Sequence, residues 1–282
     1  MEVITKTNRF KEVLRKERTL GHRIGFIPTM GALHEGHLSL VRRAAGVSDT
    51  VVVSIFVNPA QFGPSEDLEK YPRTLSHDVD LLTRLEVDYI FAPTPEEIYP
   101  REFETFIEVE GLSGKLCGAS RPGHFRGVTT VVAKLFSITA PHVAFFGQKD
   151  AQQAIIIRKM VKDLNFPVDI RVCPIVRESD GLAMSSRNVY LKPAERAAAT
   201  VLHRSLCRAA TLVMEGVRDA GVIVGEMRRL IAAEPLARVD YVEIVDTVEL
   251  EPVKTLKGEA LAALAVYVGS TRLIDNILLS VQ

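Results

Sequence analysis

The sequence lacks an excess of either charge: its 282 residues carry 35 Lys plus Arg against 35 Asp plus Glu, a formal net charge of zero. No broad field draws in a polyanion, so nucleic acid is not expected as the main partner. Long apolar runs are missing too. None approaches the roughly 20 residues of a bilayer-crossing helix, and Lys, Arg and Glu interrupt the first twenty positions. The chain is therefore expected to be neither exported nor membrane-spanning. Cysteine is scarce: Cys117, Cys173 and Cys207 are too scattered for a disulfide framework or a zinc knuckle, which favours a reducing cytoplasm. All three, including Cys207 on an apolar helix face, are read as structural. There is no Ser/Gly/Pro-rich linker and no internal repeat.

What is present is an ordinary globular composition, 47% hydrophobic and 25% charged, long enough for two units at roughly 150 residues each. Short stretches rich in β-branched and aromatic residues, at 23–28, 50–57, 88–92 and 143–146, alternate with segments of helical periodicity. The run through Val51, Val52, Val53, Ile55, Phe56 and Val57 is apolar on both faces, as in a central parallel strand covered by helices on each side. The expected fold is α/β, a Rossmann-like doubly wound parallel sheet over residues 1–175, with a smaller C-terminal α+β domain over 176–282. In the latter, Pro193 opens a long helical stretch, a second helix covers 220–233, and strands follow at 239–245, 260–268 and 274–279. The junction near Val176 reads as a hinge within a packed molecule.

In such a sheet, ligands bind beyond the carboxyl ends of the strands, and four segments there carry chemistry. PTMGALHEGH at 28–37 leaves a strand and enters a helix over about 38–45, placing His34 and His37 three apart at a helix N-terminus suited to phosphate. Gly36 between them permits close approach to the backbone. The spacing does not fit a zinc protease site. SIFVNPAQFG at 54–63 ends a strand in two amides, Asn58 and Gln61, which can orient a small hydroxy acid; alternatively, Asn58 stabilises the turn before Pro59. FFGQKD at 145–150 offers Lys149 to a phosphate, with Asp150 expected to cap the helix that follows and Gln153 facing the same crevice. DGLAMSSRN at 180–188 places Ser185, Ser186 and Arg187 in a loop at the junction, with Arg187 able to pair with an oxyanion. RPGHFRG at 121–127 reads as a basic loop before a helix starting near Val128. Each string alone also suits a cap, a turn or a surface loop.

Together with YPRT at 71–74, these strings in this order resemble the pantothenate synthetase family, the pantoate–β-alanine ligases, within the HIGH-motif nucleotidyltransferases. The resemblance covers about residues 20–195. It implies a cytoplasmic, homodimeric enzyme that condenses (R)-pantoate with β-alanine, using Mg-ATP and a pantoyl-adenylate intermediate and releasing pyrophosphate and AMP. By position, Met30, Gly31, Ala32, Leu33, His34, Glu35, Gly36 and His37 would contact ATP, with His37 the family's proton donor. Gly147, Gln148, Lys149, Asp150, Val176, Met184, Ser185, Ser186 and Arg187 would complete the nucleotide site. His34, His37, Lys149 and Arg187 form the catalytic set, and Gln61 and Gln153, with Asn58, would hold pantoate. Some relatives carry adjacent acids after YPRT where this chain has Asp78 alone, so no protein ligand is assigned to magnesium. The alternatives are a nucleotidyltransferase acting on a phosphate acceptor and a non-catalytic nucleotide-binding module.

Overall fold

The computed structural model describes residues 1–64 and 66–281. Six strands, β1 (Glu2–Ile4), β2 (Ile24–Thr29), β3 (Thr50–Ile55), β4 (Tyr89–Phe91), β5 (Val143–Gly147) and β6 (Asp169–Cys173), form one parallel sheet in the order β1-β4-β3-β2-β5-β6. Between them run α1 (Thr7–Thr19), α2 (Glu35–Ala45), α3 (Leu75–Thr83), the short α4 (Pro95–Ile98) and α5 (Cys117–Ser120), α6 (His124–Thr139) and α7 (Ala151–Asp163). The period-two alternation of the strands sorts the apolar residues by face. Phe26 and Val52 pack with Phe10 and Phe136, whereas Ile27, Val51 and Val53 pack with Leu38, Val41 and Leu82. Helices thus cover both faces, as expected for a doubly wound sheet.

The chain winds outward from β2 through β3 to β4, then restarts beside β2 at β5. The strand order reverses there, so the carboxyl ends of β2 and β5 part around a crevice.

The C-terminal unit begins with α8 (Pro193–Ala198), α9 (Val201–Met214) and α10 (Ala220–Ala232). An antiparallel sheet follows, β7 (Ala237–Val245), β8 (Glu259–Val268) and β9 (Thr271–Ser280), in that order. One face of β8, through Ala262, Leu264 and Val266, packs on α9 and α10. Its other face, through Leu261 and Ala263, joins the core of the first unit. The two units therefore share a packed junction.

The edge strands β1 and β6 escaped the sequence pattern. One is three residues long, and the other alternates Asp169, Arg171 and Cys173 with half-buried residues, too polar to stand out at a sheet edge. The long helix from Pro193 is broken at 199–200. Cys207 is exposed, on the face of α9 away from its apolar stripe. Residues 124–127 belong to α6, which starts four residues before Val128.

That early start brings Gly127 against the single turn Pro59–Gln61: a Cβ added there would lie 2.1 Å from the Ala60 carbonyl oxygen and 2.7 Å from the Gln61 Cα. Gly127→Ala must push this turn off α6. We expect it to lower the free energy of urea unfolding by about 1–3 kcal/mol, and an unchanged midpoint would contradict the contact.

Candidate active site

The loop after β2 is pinned by one carboxylate. Asp78, in the first turn of α3 and fully buried, accepts the backbone N–H of Ala32 at 3.0 Å and of Leu33 at 2.9 Å, and the Thr74 hydroxyl at 3.2 Å. These bonds hold Ala32 in left-handed backbone, φ +50°, which a side-chain-bearing residue avoids without such support. With its oxygens directed to the loop, Asp78 is a structural anchor. In the sequence it stands only as a lone acid after YPRT.

Released from that turn, the chain enters α2 at Glu35, three residues earlier than periodicity suggested, with His34 as N-cap. The His34 Nδ1 accepts the Gly36 N–H at 3.2 Å, and the His37 Nδ1 accepts the His34 N–H at 3.4 Å. A Cβ at Gly36 would lie 2.8 Å from the His34 ring, so here glycine admits the histidine itself. With both Nδ1 atoms accepting, each neutral ring carries its proton on Nε2. The rings lie 4.2 Å apart between centroids. Burial, then the Lys149 cation, pushes the His34 pKa down to about 4; burial, then His34 and Lys149, pushes His37 down to about 3. At neutral pH they are two neutral donors.

Across the switch point, β5 ends at Gly147 and a single turn presents Lys149, whose ammonium lies 3.7 Å from the Asp150 carboxylate. Asp150 occupies the N-cap position of α7, but its side chain makes no capping bond, contrary to expectation. The amides divide their roles. Asn58, 1% exposed, donates to the Gln61 Oε1 at 2.9 Å and the Gly127 carbonyl at 3.1 Å, while its oxygen accepts the Tyr99 hydroxyl at 2.7 Å and the Ala60 N–H at 3.3 Å. All four of its bonds are internal, so Asn58 holds the turn and aims Gln61, in place of the substrate contact expected of it. Gln61 contacts the Met30 sulfur at 3.0 Å, and His124 donates to the Gln61 carbonyl at 2.8 Å.

The loop 176–188 folds back on itself through Met184 N–H to the Val176 carbonyl at 3.0 Å. It reaches the first loop through the Ser186 hydroxyl, which donates to the Ala32 carbonyl at 3.1 Å. Arg187 lines the cleft, but its fork is not free there. It is paired with Asp67 at 2.9 and 2.7 Å, as Arg121 is with Glu66 at 2.8 and 2.5 Å. The sequence signal of these consecutive acids is only two carboxylates shortly before YPRT.

One cleft of about 1250 Å³ joins Met30, His34, Gly36, His37, Asn58, Gln61, Gly147, Lys149, Asp150, Gln153, Val176 and 184–187. That is ample for a nucleotide and a small acid. Five expected residues lie off its lining. Gly31, Ala32 and Leu33 build the turn, Glu35 pairs with Arg42, and Gln148 turns to Asn276. Among the described residues, no group of three or more His, Cys, Asp or Glu side chains is placed to hold a metal, and no helix is long and apolar enough to cross a membrane.

Residues 2–278 match the family model of the pantoate-beta-alanine ligases. The chain belongs to this family. It is 56% identical over 279 residues to a pantothenate synthetase of Pelotomaculum thermopropionicum, covering 99% of each chain. It is 53% identical over 282 residues to that of Moorella thermoacetica, covering 100% of each. The crystal structure of a Thermus thermophilus pantothenate synthetase superposes with a TM-score of 0.94 at 44% identity, covering 98% of this chain and 99% of that one. A Francisella tularensis pantoate-beta-alanine ligase, solved with beta-gamma ATP and beta-alanine, gives a TM-score of 0.82 at 35% identity, covering 99% and 97%. The ligase family's expected fold, parallel sheet plus small antiparallel sheet, is the one found.

The buried histidines make a stability prediction. His34 and His37, with His124 also held down at about 4 by burial and Arg121, refuse protons that the unfolded chain accepts near the ordinary 6.5. Their contribution is complete above about pH 6.5 and is lost as pH falls toward about 4, at about 1 kcal/mol per histidine per pH unit. Urea unfolding should show this loss between about pH 7 and about pH 5, and His34→Gln/His37→Gln should remove much of it. Equal slopes in the two proteins would contradict it.

Proposed function

We propose that this cleft performs the family's condensation of pantoate with β-alanine with the following division of labour. The observation carrying it is the meeting, at the switch point, of two Nε2–H donors, one ammonium and the amides of Gln61 and Gln153. A pantoate carboxylate oxygen attacks the α-phosphorus of ATP, a P–O bond forms to give pantoyl adenylate, and the bond to pyrophosphate breaks with its electron pair leaving on oxygen. Attacker and polyphosphate are both anionic, so holding them in contact and receiving charge on the leaving group are the main demands. Lys149 supplies the positive charge. His34 and His37, neutral at working pH, donate Nε2–H bonds to the phosphate oxygens as charge develops. Full proton transfer from His37 is unnecessary, because pyrophosphate leaves as a stable anion. Ser185 and Ser186 add hydroxyl donors, and Met184 and Val176 line the nucleotide side.

Gln61 and Gln153 bind pantoate through amide bonds that add no competing charge. The β-alanine amine then attacks the acyl carbon, forming the C–N bond as the bond to AMP breaks and the amine loses its proton. Arg187, held by Asp67 through Nε and Nη2, shapes the loop and keeps the N–H groups of Nη1 for a phosphate oxygen. Magnesium fits this site only as a companion of the nucleotide, since the Asp78 oxygens are committed to backbone; it would neutralise phosphate charge. We assign residues 1–175 to nucleotide and pantoate binding and 176–282 to the covering unit, in a cytoplasmic homodimer whose assembly sedimentation equilibrium would test.

Labelled pyrophosphate should exchange into ATP only when pantoate is present, and AMP should be released stoichiometrically only with both acids. Exchange without pantoate would point to a different acceptor. His37→Ala and Lys149→Ala should each slow adenylate formation by roughly 10²–10³-fold with the fold intact, and near-full activity in either would refute its role. Gln61→Ala should raise the pantoate KM; an unchanged KM would remove Gln61 from the acid site.

A further inference from the structure

The edge strand β9 carries two adjacent polar residues, Asp275 and Asn276, 2% and 3% exposed, within an otherwise apolar stretch that includes Leu273, Ile274 and Ile277. Burying an amide and a carboxylate there is costly unless every polar atom is matched, and the partners are specific. The Asn276 Nδ2 donates to the carbonyls of Gln148 and Lys149, each at 2.9 Å, and its Oδ1 accepts the Gln148 Nε2 at 3.0 Å. It holds the backbone of the turn that presents the Lys149 ammonium. Asp275 forms a two-pronged pair with Arg177 at 2.7 and 3.0 Å and accepts the Asn276 N–H at 2.8 Å. Arg177 in turn donates to the Gly181 carbonyl at 3.0 Å and bridges Ala183, at the base of the loop bearing Met184 to Arg187.

Neighbouring side chains leave a strand on opposite faces. One short segment of the C-terminal sheet can therefore reach both loops, which follow different strands of the first sheet. A charge-assisted pair fixes one loop, and an amide clasping two carbonyls fixes the other. We infer that Asp275 and Asn276 are positioning residues for adenylate formation: they set the Lys149 turn and the 184–187 loop in register, so that cation and hydroxyls meet the same polyphosphate. The C-terminal sheet is thereby part of the catalytic geometry. This deepens the reading of Lys149 given above and rests on it.

The effect should be confined to the first half-reaction, because the amine attack in the second places no new charge on a polyphosphate. Asn276→Asp keeps the shape but faces two carbonyls with an acceptor; Asn276→Ala leaves them without a donor. Pantoate-dependent pyrophosphate exchange should fall roughly 10- to 100-fold in both, with the pantoate KM unchanged. The rate at which enzyme-bound pantoyl adenylate reacts with β-alanine should stay at the wild-type value. A parallel fall of both half-reactions, or full exchange in both variants, overturns the inference. If neither variant folds, Gln148→Ala, which removes only the bond to the Asn276 Oδ1, should lower exchange several-fold with the second step intact, and unchanged exchange overturns it equally. Lys149→Ala in the same assays separates the two levels. Exchange retained there refutes the role of the cation. Exchange lost there but retained in the Asn276 variants refutes only the positioning.

Discussion

The Asp78 carboxylate, buried beneath the loop that follows β2, receives two backbone N–H groups and a hydroxyl, and the geometry of the site descends from that arrangement. Bonds to a charged acceptor are among the stronger ones a folded chain makes, and leaving either N–H unmatched would cost on the order of 1–3 kcal/mol. The turn they hold carries Ala32 through left-handed backbone. That direction change delivers His34 to the start of α2, where both imidazoles commit Nδ1 to backbone and keep their proton on Nε2. The Ala32 carbonyl meanwhile receives Ser186 from the far loop. One side chain thus sets the orientation of the donors and the anchor point of the opposite wall.

Charge in the cleft is balanced locally. Arg121 and Arg187 are each matched to a carboxylate on the 66–67 segment, and Lys149 stands near Asp150 at a looser 3.7 Å. A crevice prepared for several phosphate charges therefore does not rely on a large standing excess of cations, consistent with the chain's zero net charge. Neutral donors and a loosely held ammonium respond to an incoming anion with little reorganisation, which is the favourable condition for stabilising charge that appears only during reaction.

Much of this was legible in the sequence where local chemistry and global role coincide. Strands β2, β3 and β5 are apolar on both faces and end in unusual polar strings, so both their place in the sheet and the loops that matter could be read. His34, His37, Gln61, Lys149 and Gln153 came together as those strings implied. What was not legible depends on partners far along the chain. Asn58 looks like a ligand group until Tyr99 and Gly127 are seen to saturate it, and the Asp67 that holds Arg187 lies 120 positions away. Asp78 stands 45 positions from the N–H it accepts at Leu33. Its proximity to Thr74 hints at a helix start, and nothing local points to its target. The polar pair in β9 did carry a signal, an acid and an amide where a strand should be apolar, but its meaning required the position of the loops.

The way β8 is buried bears on how the molecule can move. From Ala260 to Val266 no side chain is more than 5% exposed, and alternate residues serve two different cores. Swinging the C-terminal unit away like a door would strip Leu261 and Ala263 of their cover and wet an apolar seam. Sliding packed surfaces past one another exposes far less of that seam than opening it does. Displacements of this unit that cost little are therefore the small slides that keep its apolar seam covered.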